Sequence, residues 1–126
     1  PQGGDGTGWI GIFFSAAPAS SVEMTAFDVG EDGLILEAYG AIDATDLLGS
    51  FIIDGTGRGF GDGEEDLMTL SGIGAIRSIV LKQVRDDPTR DGWVVDDMQF
   101  IFTPEPATAW LMGLGIFALG FARRRR

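Results

Sequence analysis

The sequence predicts an all-β sandwich followed by a single C-terminal transmembrane helix. Helical periodicity is nearly absent before residue 104. In its place, short runs of strand composition are separated by Gly and Asp about every ten residues. Residues 107–122 (ATAWLMGLGIFALGFA) then carry no charge at all and run directly into Arg123, Arg124, Arg125 and Arg126.

The strands follow in order. Residues 9–14 (WIGIFF) form an apolar run. Val22, Met24 and Ala26 alternate with Glu23, Thr25 and Phe27, which is the period of a half-buried strand. Residues 30–33 (GEDG) read as a hairpin turn, with Asp32-Gly33 as the strongest local signal. Residues 34–39 (LILEAY) come next, with Leu34, Leu36 and Ala38 on one face, and residues 47–53 (LLGSFII) follow the turn at 43–46. Residues 54–66 hold five glycines and five acids and read as a solvated loop with only Phe60 to bury. A short strand is expected at 67–70 and another at 76–84. In the second, Ile76, Ser78 and Val80 alternate with Arg77, Ile79 and Leu81, so its inward face is ambiguous. After a polar loop at 86–92, residues 93–103 (WVVDDMQFIFT) form the last strand. Seven or so such strands favour a sandwich over any helical fold.

The domain division follows from the same pattern. Residues 1–103 are of a size to form one domain with a usable core. Residues 104–126 form a separate tail. The apolar stretch would rise roughly 24 Å as a helix, short of the roughly 30 Å hydrocarbon core, and the arginine stems can recover part of the difference. The arginines place their end of the helix in the cytoplasm and the domain on the far side of the membrane.

Five basic residues stand against 19 acidic ones ahead of the apolar stretch, a net charge of −14 that the four tail arginines bring to −10. Such a domain repels nucleic acid and anionic lipid. There is no Cys and no His, which excludes disulfides, thiolate nucleophiles, zinc–thiolate sites and imidazole bases. The chain starts at Pro1 without Met or leader. A tail of this kind needs a signal peptide upstream, so N-terminal strands are expected to be missing.

Pro104, Glu105 and Pro106, followed by the apolar run and the arginine stop, resemble the PEP-CTERM sorting signal. The resemblance implies a protein exported by a Gram-negative bacterium and recognised by an exosortase, a membrane-embedded cysteine protease-transpeptidase. It implies removal of the tail near Pro-Glu-Pro and association with exopolysaccharide and biofilm at the cell surface. The Leu-Pro-x-Thr-Gly motif of sortase substrates is absent. Residues 18–24, 28–33, 36–39, 48–50 and 91–100 also resemble the jelly-roll-like domain that accompanies this tail in many proteins.

Candidate sites are few. Asp96 and Asp97 are adjacent, so in a regular strand one of them must point inward, where a carboxylate needs a partner. A structural Ca²⁺ ion held by Asp28, Asp97 and Glu31 or Asp32 is one reading, since hard oxygen ligands suit calcium. The other is that these acids accept hydrogen bonds from turn amides or lie in solvent. The acidic loop at 62–66 fails the EF-hand pattern, because Thr56 and Arg58 stand at the third and fifth positions counted from Asp54. Trp9, Tyr39 and Trp93 could stack on a sugar ring or fill the core. Carboxylate pairs are inevitable among 19 acids and carry little signal for glycoside hydrolysis. The reading is therefore a non-catalytic surface or matrix protein. A calcium-dependent carbohydrate-binding module or adhesin is the alternative, and an exported glycosidase is the third class.

Overall fold

The computed structural model describes residues 9–58, 63–85 and 93–103, together with Leu111, Met112 and Leu114, which are helical. The described domain is all-β. Its strands are β1 (Trp9–Phe13), β2 (Ala19–Phe27), β3 (Leu34–Tyr39), β4 (Leu47–Ile53), β5 (Glu65–Ile76), β6 (Ser78–Gln83) and β7 (Val94–Phe102). They form two antiparallel sheets, one of four strands in the order β1-β6-β3-β4 and one of three in the order β5-β2-β7.

The core lies between the sheets and is built by strand alternation. Val22, Met24 and Ala26 of β2 are fully buried, as are Leu34, Leu36 and Ala38 of β3. Ile79 and Leu81 of β6 lie opposite Ala38 and Leu36 in the register and are buried with them. Met68 and Leu70 of β5 complete the other layer.

Three expectations change. The turn at 30–33 is not a hairpin, because β2 and β3 lie in different sheets and the turn is a corner between them. Asp-Gly encodes a reversal, but says nothing about whether the next strand pairs with the previous one. The corner is seated on backbone: a Cβ at Gly55 would lie 2.3 Å from the Gly30 carbonyl oxygen, and one at Gly33 2.6 Å from that of Ile53.

The second change is at β5, which runs to Ile76 rather than ending at Leu70. The third resolves the ambiguous face of 76–84. Ile76 closes β5 in one sheet, and β6 starts at Ser78 in the other. Crossing between sheets at Arg77 shifts the phase of the alternation, so Ile76 and then Ile79 and Leu81 all face the core. The crossing leaves no orphan backbone there. The Arg77 N–H donates to the Tyr39 carbonyl at 2.7 Å, and the Arg77 carbonyl accepts from the Phe14 N–H at 2.9 Å.

The loops at 59–62 and 86–92 lie outside the described residues, and so does Phe60. Among the described residues no helix is long and apolar enough to cross a membrane. The helix expected at 107–122 lies outside them apart from Leu111, Met112 and Leu114, which are exposed.

Candidate functional site

Two regions carry chemistry: the outer face of the four-stranded sheet, and the end of β7 where the tail begins. On the outer face, the register sets Trp9 beside Lys82 and Phe13 beside Ser78, with Gly11 between them on β1. Ser78 is in turn opposite Tyr39, and Val80 opposite Glu37. Residues two apart on a strand share a face, so Glu37 and Tyr39 project together. The Tyr39 hydroxyl donates to Glu37 Oε2 at 2.6 Å, and Lys82 Nζ lies 2.9 Å from Oε1. Each carboxylate oxygen thus has its own donor.

The electrostatics follow from that geometry. Burial pushes the Glu37 carboxyl up, but the Tyr39 hydroxyl and the Lys82 ammonium outweigh it and hold the group below its ordinary value of 4.5. The hydrogen bond to Glu37, with burial and the repulsion of the same carboxylate, pushes the Tyr39 phenol up to about 12.

Trp9 and Phe13 flank this cluster at the sheet edge, 62% and 54% exposed. They fold over Gly11, where a Cβ would lie 3.0 Å from the Trp9 ring and 3.2 Å from the Phe13 ring. Of the three aromatic candidates, Trp9 and Tyr39 therefore share one face, four residues apart along the β6 register. Trp93 does not join them; it is partly buried and packs against the core just before β7. Sequence reasoning missed Glu37 and Lys82. The available signal was an acid inside an apolar strand, two residues before a tyrosine.

The four carboxylates considered for calcium are placed as follows. Asp28 closes β2 at φ 59°, and its Oδ1 accepts from the Gly63 amide at 3.4 Å. Asp32 is buried at 4% exposure, with Gln83 Nε2 donating to its Oδ2 at 3.4 Å. The Glu31 carbonyl accepts from Arg85 Nη1 at 2.6 Å. The other guanidinium nitrogen of Arg85 reaches Asp54 at 3.2 Å and the Thr56 hydroxyl. Hydrogen bonds from the Thr56 hydroxyl and amide, and then the Arg85 charge, hold the Asp54 carboxyl below its ordinary value. Arg85 thus bridges the Glu31 carbonyl, Asp54 and the Thr56 hydroxyl. Asp97 is elsewhere, in mid-β7 opposite the stretch of β2 around Glu23 and Thr25. Among the described residues no three or more acidic groups form a cluster suited to a metal ion.

Neither aspartate of the 96–97 pair points inward, which corrects the alternation argument. Glu23 pairs with Gln99 and Thr25 with Asp96, so three steps along β7 match two along β2. The extra residue is a β-bulge with Asp97 at φ 50°, and its N–H bonds Asp96 Oδ1 at 2.8 Å. Both carboxylates are exposed, while Val95, Met98 and Phe100 face the core.

β7 ends at Phe102. The next residue, Thr103, is fastened by its backbone N–H (3.2 Å) and its hydroxyl (3.1 Å) to the Pro18 carbonyl. The last strand thus ends two residues before Pro104. Residues 102–126 match the PEP-CTERM protein-sorting motif. The PEP-CTERM motif marks an exported protein that is processed by an exosortase and passes through a membrane-anchored intermediate. Its Pro104, Glu105 and Pro106, and its Arg123, Arg124, Arg125 and Arg126, lie outside the described residues. The match covers the tail and the last residues of the domain, and no curated protein and no solved structure matches the chain.

Proposed function

We propose that this chain is a non-catalytic surface or matrix protein of a Gram-negative envelope, a jelly-roll-like sandwich delivered by its tail and retained among exopolysaccharides. The observation that carries this reading is the sorting motif, which begins where the last strand ends. In this reading, residues 107–122 form a transmembrane helix with the four arginines in the cytoplasm, and the exosortase cuts near Pro104, Glu105 and Pro106. The helix is shorter than a comfortable span, which suits an anchor meant to be removed. The absence of His and Cys supports a binding rather than a catalytic role. The exposed Trp9 and Phe13 beside the Glu37–Tyr39–Lys82 cluster offer a stacking surface next to polar groups, which is the chemistry a sugar ring needs.

The test is replacement of Pro104, Glu105 and Pro106 by alanine in the native host. The variant should accumulate as an unprocessed, membrane-bound form. A variant that is shortened and released like the wild type would remove the sorting assignment.

A further inference from the structure

The registers sort the strand ends into two groups. Phe13 lies opposite Ser78, Ser78 opposite Tyr39, and Tyr39 opposite Leu47. In the other sheet Ala19 lies opposite both Ile76 and Phe102. Arg77 joins Ile76 to Ser78, so these ends belong to one end of the sandwich. Phe14, just after β1, confirms it by packing edge-on against Phe100 and Phe102, with ring centroids 5.0 and 5.7 Å apart. The β3–β4 turn at 40–46 closes this end, and Thr103 leaves from it. The opposite end holds the corner at 30–33, the start of β7 and residues 54–58.

Apolar side chains are exposed at both ends. Phe13, Ile42, Leu47, Ile101 and Phe102 are 49–65% exposed at the Thr103 end, and Trp9, Ile52 and Val94 are 54–62% exposed at the other. Charge separates the two. Among the described residues the Thr103 end carries the carboxylates Asp43 and Asp46 and the cation Arg77. The far end carries Asp28, Glu31, Asp32, Asp54 and all of residues 64–66 (EED), against Arg58, Lys82 and Arg85. Glu23, Glu37, Asp96 and Asp97 lie between the ends.

We propose that the Thr103 end of the sandwich is a lipid-contacting surface: while the tail is in place, Phe13, Ile42, Leu47, Ile101 and Phe102 rest in the interfacial layer of the bilayer that holds the anchor.

The proposal rests on the membrane-anchored intermediate that the sorting motif marks. Residues 104–106 are all that separate Thr103 from the apolar run, so the tether presents lipid to this end at high effective concentration. A modest apolar surface is then enough, since bulky apolar side chains gain by entering the boundary between headgroups and acyl chains. Lipid phosphates repel carboxylates, which excludes the acid-rich far end from the same role although its apolar exposure is similar. A second copy is a poorer occupant, because each domain is strongly acidic and two of them repel. The contact holds the domain in one orientation over its anchor.

The chain has no cysteine, so a single introduced cysteine reports one place. The whole 126-residue chain is reconstituted into phosphatidylcholine vesicles as Ile42→Cys or Val94→Cys, each carrying an environment-sensitive dye, with nitroxide-labelled lipid as the quencher. Leu47→Cys takes the place of Ile42→Cys if that variant loses its strand signal in circular dichroism. Flotation with the vesicles is read first. Both variants should float, and the dye at 42 should be quenched about twofold or more strongly than the dye at 94. Ile101→Asp, added to the first variant, should lower its quenching towards that at 94, since a carboxylate keeps to water. Equal quenching at 42 and 94 in chains that float overturns this proposal and leaves the sorting assignment standing. So does quenching at 42 that Ile101→Asp leaves untouched. A chain that does not float overturns the membrane tail and this proposal with it. A dye at 42 that is shielded from water, escapes the nitroxide and is shielded more at higher protein-to-lipid ratio gives the surface to a second copy and overturns the lipid contact.

Discussion

Tyr39 is the single tyrosine of the chain, so its ionisation can be followed directly by ultraviolet absorbance. Its folded pKa, about 12, lies above the ordinary 10.0. The stability it contributes is therefore complete below pH 10 and is lost as pH rises through about 12. The expected titration of the folded domain has its midpoint well above 10, and the urea-unfolded chain near 10. Glu37→Gln removes the negative charge and should bring the folded midpoint down towards 10. A wild-type midpoint already near 10 would show that the Glu37–Tyr39 contact does not exist in solution. Glu37 acts with the opposite sign. Its contribution is present above its ordinary value and is lost as pH falls through the lower folded value.

The bulge in β7 makes the element scale testable. Asp97 holds a left-handed backbone at φ 50°. Aspartate tolerates that region better than most residues, and a β-branched side chain does not. Asp97→Val should therefore lower stability by about 1–2 kcal/mol, and Asp97→Gly should leave it unchanged or raise it by about 0.5 kcal/mol. Urea midpoints with unchanged slopes measure both, and a valine variant as stable as wild type would argue against the bulge. The same strand shows what the sequence made legible. Where alternation ran uninterrupted, as in Val22-Met24-Ala26 and Leu34-Leu36-Ala38, period and inward face were both readable, because burial alone determines them. At Asp96–Asp97 and across Arg77 the alternation breaks, and a bulge and a change of sheet leave similar marks on one chain. The Glu37–Lys82 pair was illegible because it depends on which strands become neighbours, and only the ladders decide that.

At the scale of the molecule, charge and the exposed aromatics set what the domain can hold. Ahead of the apolar segment the chain carries −14, so it repels acidic polymers, and the glycan partner proposed for it is a neutral one. In affinity electrophoresis through a neutral matrix polysaccharide, the Trp9→Ala, Phe13→Ala double variant should bind about tenfold more weakly, equivalent to ~1.4 kcal/mol. Trp93→Ala should instead lower stability, since that ring packs against the core. Equal retention of the double variant and the wild type would move any glycan contact off this face.

On the proposed function, Thr103, pinned to the Pro18 carbonyl, also sets which way the domain would face while its tail is in place. Only residues 104–106 separate it from the apolar segment, a leash of roughly 10 Å even when taut. If that segment enters the bilayer as proposed, the end of the sandwich that carries Phe14 and Phe102 would stand over the headgroups. Trp9, at the other end of β1, would then face away from the membrane. On that proposal the protease would meet its substrate in a narrow gap beneath a folded domain, and the ease with which Thr103 lets go of Pro18 would set how much of the motif it can grip.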